Sequence, residues 1–454
     1  MITMKTLKII LTAVLAIMVF VQAQAQSTYT LQQCIDSALK NNLNIRSAGY
    51  DLQKAQEQKR EAFASFLPQV SGSGSYQYYT KVPGQLIPSS IFGGGANLPK
   101  YVTGSFTLPQ TTQANAQLQQ TLYSGQALIA LKAAKANTDI YEVQVKSSKE
   151  DVVYNVGATY YNAQALMKKA ELYKSNLDNS EKLIKATKLK LDNGIATKTD
   201  YNRLLVNRES INANLVSTQG QLQEQMVELK FLMGKPLEMP VSINVDTGKN
   251  SLPDLIANEK GDPSKRTDIQ LLQAQRAYDV IGRANIKAGY QPTLSITNNF
   301  GTSGYNDHFN PFQNINGSWF SSSSMVLNLS IPIYDGGKKR SQIRQKNIEL
   351  EQYDAKIELN KQQADKEVAT AVINYNTYVV TLRSQYANVQ LAGKIYTDRQ
   401  LQFENGIVAL NDVLDAKNDL IDAENTFITS LVNTRTSELD LKKAKGELLD
   451  NTEK

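Results

Sequence analysis

The sequence predicts a mainly α-helical chain that carries a membrane β segment, with long coiled-coil helices and four β-strands per chain. Three observations predict it. Two proline-free runs, Gly125 to Asp192 and Gly337 to Glu404, are 68 residues each, or ~100 Å of helix apiece. Two zones almost without charge alternate with these runs: Ala62 to Leu131 holds only Lys81 and Lys100, and Ala288 to Tyr334 only Asp307. The two halves of the chain also repeat one another.

The composition excludes several functions. The 49 basic and 43 acidic side chains give a net charge of +6 over 454 residues, too even a balance for a nucleic-acid partner. One cysteine, Cys34, rules out a disulfide framework and any Cys-rich metal site. One histidine, His308, leaves almost no room for His-based catalysis or zinc. No catalytic, cofactor-binding or metal-ligating set is therefore expected. Gly93-Gly94-Gly95 has no following Lys-Ser/Thr and reads as hairpin-loop flexibility, not a phosphate cradle.

Residues 1–25 read as a signal peptide. Lys5 and Lys8 precede an apolar run from Ile9 to Val21, broken only by Thr12, and Ala23-Gln24-Ala25 follows as a small-x-small cleavage site. Leu31-Gln32-Gln33-Cys34 lacks the small residues of a lipid-attachment site, so Cys34 is expected as a small buried hydrophobe on a helix.

The repeat sets the domain plan. Ile45, Ala64 and Pro68 recur as Ile269, Ala288 and Pro292, and Asp192-Asn193-Gly194-Ile195 recurs as Glu404-Asn405-Gly406-Ile407. The first repeat spans 26–233 and contains a β-hairpin at about 68–123. A mid-height linker covers 234–263, and the second repeat covers 264–454 with a hairpin at about 292–334. Val82 to Gly104, rich in Pro and Gly, makes the first hairpin loop the longer one.

Each β segment alternates. Leu327, Leu329, Ile331 and Ile333 share one face, against Asn328 and Ser330 on the other. Val70, Gly72, Gly74, Tyr76 and Tyr78 share a face, as do Ala114, Ala116 and Leu118, and Leu294, Ile296 and Phe300. Apolar-out and polar-in is the pattern of a membrane barrel with a wet lumen. Tyr76, Tyr78, Tyr79, Tyr101, Phe106, Trp319 and Phe320 supply candidate interfacial aromatics.

The long helices carry coiled-coil spacing: Ile343, Leu350, Ile357, Ala364, Ala371 and Tyr378 are seven apart. The other helices, Leu31 to Phe66, Thr199 to Met233, Thr267 to Gly289 and Asn411 to Leu448, pair end to end to match one long helix each. Four strands cannot close a barrel. The chain must complete itself with copies, two giving eight strands and three giving twelve.

Built on this plan, the chain resembles the TolC-type outer-membrane efflux proteins over essentially all of Gln26 to Lys454. The resemblance rests on the duplicated helix–hairpin–helix order and on the exits Leu122-Tyr123-Ser124-Gly125 and Ile333-Tyr334-Asp335-Gly336. It rests also on the tips Asn193 to Asp200 and Asn405 to Ala416, and on an opening helix from Leu31 to Ile45. The family implies a homotrimer in which the four strands per chain form a shared 12-stranded barrel in the outer membrane, above a coiled-coil α-barrel in the periplasm. It also implies a periplasmic adaptor and an inner-membrane pump as partners, besides outer-membrane lipid. Type I protein secretion is the alternative within this reading, and a periplasmic coiled-coil adaptor or scaffold is the alternative outside it.

The resemblance points to two sites. Gly194, Ile195, Gly406 and Ile407 are the tips that would contact the adaptor. Asp412 and Asp415, three apart on one helix face, match the family's aspartate ring at the tunnel entrance, with Asp200 at the equivalent place in the first repeat. First-turn helix capping is the plain alternative for these carboxylates. Phe403 and Val408 stand where the family's best-known member has the Tyr and Arg that lock the constriction, so those polar ties are absent here.

Overall fold

The computed structural model describes residues 28–93, 99–244, 253–257, 260–309 and 319–450. The expected signal peptide, with Gly94 and Gly95, lies outside the described residues. The fold has two compact units. One comprises Gln53–Asp139 and Ala274–Tyr353, and the other Met1–Leu52, Ile140–Gln273 and Asp354–Lys454. Each unit draws on both sequence repeats.

The first unit is built on a four-stranded antiparallel sheet of β2 (Gln69–Tyr78), β5 (Gln110–Ser124), β7 (Thr293–Asn306) and β8 (Phe320–Ser330), in the order β2-β5-β7-β8. The hairpins of the two repeats therefore meet along β5 and β7. The register runs Val70↔Leu118, Leu118↔Asn298, Ile296↔Leu327 and Leu294↔Leu329, and Gly72↔Ala116, Ala116↔Phe300 and Phe300↔Ser323. Residues in register share a face, so the apolar alternation of all four strands lies on one face. Ser73, Asn115, Gly301 and Ser322, also in register, mark the polar face. A bulge between Thr121 and Tyr123 breaks the β5–β7 ladder near its end.

The longer first hairpin loop, Val82 to Gly104, contains a small hairpin, β3 (Gln85–Pro88) with β4 (Tyr101–Gly104), closed over Ile87. Tyr76 and Tyr78 meet Phe309 edge-on, with ring centres 5.5 and 5.8 Å away.

Seven helices complete the described chain: α1 (Leu31–Asn41), α2 (Leu43–Ala64), α3 (Gly125–Asp192), α4 (Lys198–Leu232), α5 (Thr267–Ala288), α6 (Lys338–Glu404) and α7 (Leu410–Lys445). The two long helices, 68 and 67 residues, have the expected bounds to within a residue. The opening helix differs, because it breaks at Asn42. That residue is buried, its side-chain amide donates to the Leu232 carbonyl at 2.8 Å, and its carbonyl oxygen accepts from the Asn44 N–H at 2.8 Å. An amide that bonds locally to the backbone competes with helix continuation. No helix among the described residues is long and apolar enough to cross a membrane.

The helical unit holds its main core where α1 meets α3 and α4, through Cys34, Ile35, Ala38, Val156, Tyr160, Leu229 and Met233. Cys34 is fully buried, and burial pushes its thiol up to about 12, so it is an inert hydrophobe as expected. A parallel pair, β1 (Thr28–Tyr29) with β6 (Ser242–Ile243), clamps the chain beside this core. The Tyr160 hydroxyl donates to the Tyr29 and Asn244 carbonyls. Gly234 closes α4 at φ +64°, where a Cβ would lie 2.4 Å from the Asn41 carbonyl oxygen, so only glycine fits.

The linker and the C-terminal residues come together in this unit. Asn376 on α6 both donates to and accepts from the backbone of Ile256 at 2.9 Å, as a neighbouring strand would. Ile256 packs on Val368, Ala371, Val372, Leu441 and Ala444, and Lys265 approaches Glu447 and Asp450 at 3.9 and 3.7 Å.

Candidate functional site at the helix-reversal tips

The two tips are built from the same parts. At each, an Asn–Gly pair ends a long helix. The side-chain amide of Asn193 donates to the Leu189 carbonyl, and that of Asn405 to the Leu401 carbonyl, both at 2.8 Å. Gly194 and Gly406 take φ +74° and +72°. The left-handed residue turns the next N–H back onto the helix: Ile195 donates to Lys190 at 2.7 Å and Ile407 to Gln402 at 2.9 Å. This satisfies carbonyls that a helix end leaves open. The turn also presents the isoleucines to solvent, 75% exposed at Ile195 and 71% at Ile407.

The return helices start with carboxylate caps. Asp200 accepts from the Thr197 N–H at 3.3 Å and the Thr197 hydroxyl at 2.6 Å, while that hydroxyl accepts from the Asp200 N–H at 3.0 Å. Asp412 accepts from the Ala409 N–H at 3.0 Å; alanine has no side-chain acceptor, and the Asp412 N–H donates instead to the Ala409 carbonyl at 3.2 Å. Capping therefore occupies Asp200 and Asp412. Asp415, one turn further and exposed, makes no hydrogen bond or ion pair among the described residues.

Two contacts join the tips. The Lys190 ammonium lies 4.7 Å from the centre of the Phe403 ring. Arg203 on α4 donates to the side-chain carbonyl of Asn411 on α7. A cation–π contact and a charge-assisted hydrogen bond thus join the first hairpin to the second.

One residue went unnoticed in the sequence. Lys417 on α7 is 2% exposed, and among the described residues its ammonium has one hydrogen-bond partner, the Asn176 carbonyl on α3 at 3.3 Å. Burial without a carboxylate lowers its pKa to about 8. Its surroundings on α3 are polar, because Asn176, Ser180 and Thr187 are the buried residues of that stretch. The signal was present, since Lys417 falls in the buried stripe Leu410, Val413, Lys417 and Ile421.

Among the described residues, no three His, Cys, Asp or Glu side chains are grouped to hold a metal. What the unit offers instead is a pair of rigid arms ending in exposed apolar turns and a carboxylate with no structural task.

The family model for outer membrane efflux proteins matches residues 34–235 and 267–447. The chain belongs to that family. Membership places the protein in the outer membrane, extending into the periplasm, with efflux as its task. The chain is 21% identical over 426 residues to the outer membrane protein TolC of Escherichia coli K12, covering 92% of this chain and 82% of TolC. It is 26% identical over 427 residues to the probable efflux pump outer membrane protein TtgC of Pseudomonas putida, with the same coverage. The crystal structure of CusC overlays with a TM-score of 0.71 at 19% identity, covering 92% of both chains. The open-state MtrE channel of Neisseria gonorrhoeae overlays at 0.69 and 17% identity, covering 92% of this chain and 89% of that one. The fold is that of the outer-membrane channels.

Proposed function

We propose that the protein is the outer-membrane channel of a tripartite efflux system. Three copies would share one 12-stranded barrel and conduct substrates passively from a periplasmic adaptor and an inner-membrane pump to the exterior. The observation that carries this reading is the sheet. It has one apolar and one polar face, and both edge strands, β2 and β8, are exposed along their whole length. Open edges need strand partners, and a membrane leaves no other way to satisfy them. A second apolar feature supports assembly: Leu359, Ile373, Val380, Leu391 and Ile395 on α6 are exposed at coiled-coil spacings, while Leu350, Ile357, Ala364 and Val368 of the same helix are buried. The copies would cover that stripe.

In the assembled channel Gly194, Ile195, Gly406 and Ile407 would form the adaptor-facing end. Asp412 and Asp415 of each copy, with Asp200 beside them, would line the entrance. Charge there favours cations without selecting a chemical substrate, and the pump does the selecting. Disulfide trapping tests the shared barrel. Paired cysteines, one on β2 and one on β8, scanned over several registers, should yield covalent trimers in membranes. Cross-links confined to monomers would contradict the reading. Buried Cys34 would not interfere.

A further inference from the structure

The unit that carries the sheet has an unbalanced charge, with fifteen Lys and Arg against eight Asp and Glu. The excess is concentrated just beyond the strands. Leaving β8, the chain exposes Ile331, Ile333 and Tyr334, the last two 95% and 88% exposed, and within three residues enters α6 through Lys338, Lys339 and Arg340, followed by Arg344 and Lys346.

The acidic neighbours are already committed. Asp335 pairs with Lys339 at 3.1 Å and accepts the N–H groups of Gly337 and Lys339 at 3.1 and 3.2 Å. Asp279 and Glu349 both hold Lys346, at 2.7 and 2.5 Å. Lys338, Arg340 and Arg344 are exposed and have no carboxylate partner among the described residues, and Glu351 lies two turns beyond Arg344. Lys287, six residues before β7, is exposed and unpaired in the same way.

Lys338 and Arg340 occupy the first turn of α6, where the backbone dipole disfavours positive charge, so folding alone does not account for them. Their neighbours give the reason. An apolar strand face, then bare aliphatic and aromatic side chains, then unpaired Lys and Arg is the order met on passing from bilayer hydrocarbon through the interface to the head groups. We propose that Lys338, Arg340 and Arg344 bind the anionic head groups of phospholipids in the periplasmic leaflet around the barrel. The lipid's acyl chains would lie along Ile331 and Ile333. The surface would anchor the strand–helix junction at a fixed depth. The inference rests on the outer-membrane placement and not on the number of copies.

Native mass spectrometry of the purified full-length protein tests it, because chain number and bound lipid are read separately in one spectrum. The protein is exchanged from detergent into mixed micelles holding phosphatidylglycerol or phosphatidylcholine. The native chain should retain phosphatidylglycerol preferentially. At ~5-fold per cation near an anionic surface, the K338Q/R340Q/R344Q variant should lose about a hundredfold of that affinity. The charge-keeping R340K/R344K variant should retain it, which separates loss of charge from loss of fold. Equal retention of the two lipids, or unchanged retention in the triple Gln variant, would overturn the proposal. Displacement of the lipid by millimolar glycerol phosphate would show a site for free phosphate and overturn it too. So would a changed anion conductance with lipid retention intact, since that would place these side chains on the water path.

Discussion

Lys190, two residues before the end of α3, holds its ammonium 4.7 Å from the centre of the Phe403 ring, one residue before the end of α6. The two hairpins thus touch at their tips through a lysine and a benzene ring, with Arg203 and Asn411 as a second tie close by. An exposed cation–π contact contributes ~0.5–1 kcal/mol, a factor of about 2–5 in a local opening equilibrium. Phe403→Leu should raise amide hydrogen exchange by that factor at residues 188–196 and 401–408, with no change in the α1 core. Phe403→Tyr should leave exchange as it is. Identical exchange in the Leu variant would show that the tips hold together without this contact.

The tip glycines make a sharper prediction. Nothing lies within 4 Å of a Cβ at Gly194 or Gly406, so a side chain there meets strain from the backbone and not from neighbours. A left-handed residue with a Cβ costs ~1–2 kcal/mol, and asparagine tolerates the conformation better than valine. Gly194→Val with Gly406→Val should leave assembled protein in the outer membrane and abolish export, whereas Asn at both positions should restore much of it. Normal export by cells carrying the Val pair would remove the tips from the docking surface.

Asp412 and Asp415 separate two explanations that the sequence could not. Asp412 caps α7, while Asp415 makes no such bond. In planar bilayers Asp415→Asn should weaken cation preference and block by multivalent cations, with thermal stability unchanged. Asp412→Asn should do the same, and Asp412→Ala should in addition cost ~0.3–1 kcal/mol of stability for the lost first-turn carboxylate. Unaltered selectivity with both carboxylates neutralised would leave Asp412 as a cap and Asp415 as an ordinary surface residue.

Lys417 makes stability depend on pH. Its pKa falls from 10.5 to about 8 on folding because burial penalises the ammonium. Below pH 8 both folded and unfolded chains carry the proton, and the penalty is fully present. Between about pH 8 and 10.5 the unfolded chain holds more protons, so stability rises with pH, by ~3 kcal/mol at most. Lys417→Met should be more stable than the native chain at pH 7 and should lack this rise. Parallel melting curves for the two proteins from pH 7 to 10 would show that the buried ammonium is better solvated than its surroundings suggest.

Much of this was legible in the sequence because periodicity and glycine placement are local. The ends of α3 and α6, the shared apolar face of the strands and the turns at Gly194 and Gly406 all follow from spacing and backbone conformation. What escaped depends on partners distant in sequence. Asn42 breaks the opening helix by bonding to Leu232, and Thr28–Tyr29 becomes a strand because Ser242–Ile243 lies alongside. Lys190 meets Phe403 across more than two hundred residues. The candidate site divides in the same way. Its glycines, isoleucines and aspartates were singled out by the family resemblance at the two tips. The capping of Asp412 and the burial of Lys417 needed the neighbouring backbone.

Four strands and two open edges make a channel only when copies of the chain combine. Native mass spectrometry of the protein extracted in mild detergent tests it most directly. Three chains per particle, persisting after mild collisional activation, is the predicted result. A particle of one chain, monodisperse and folded, would contradict the account.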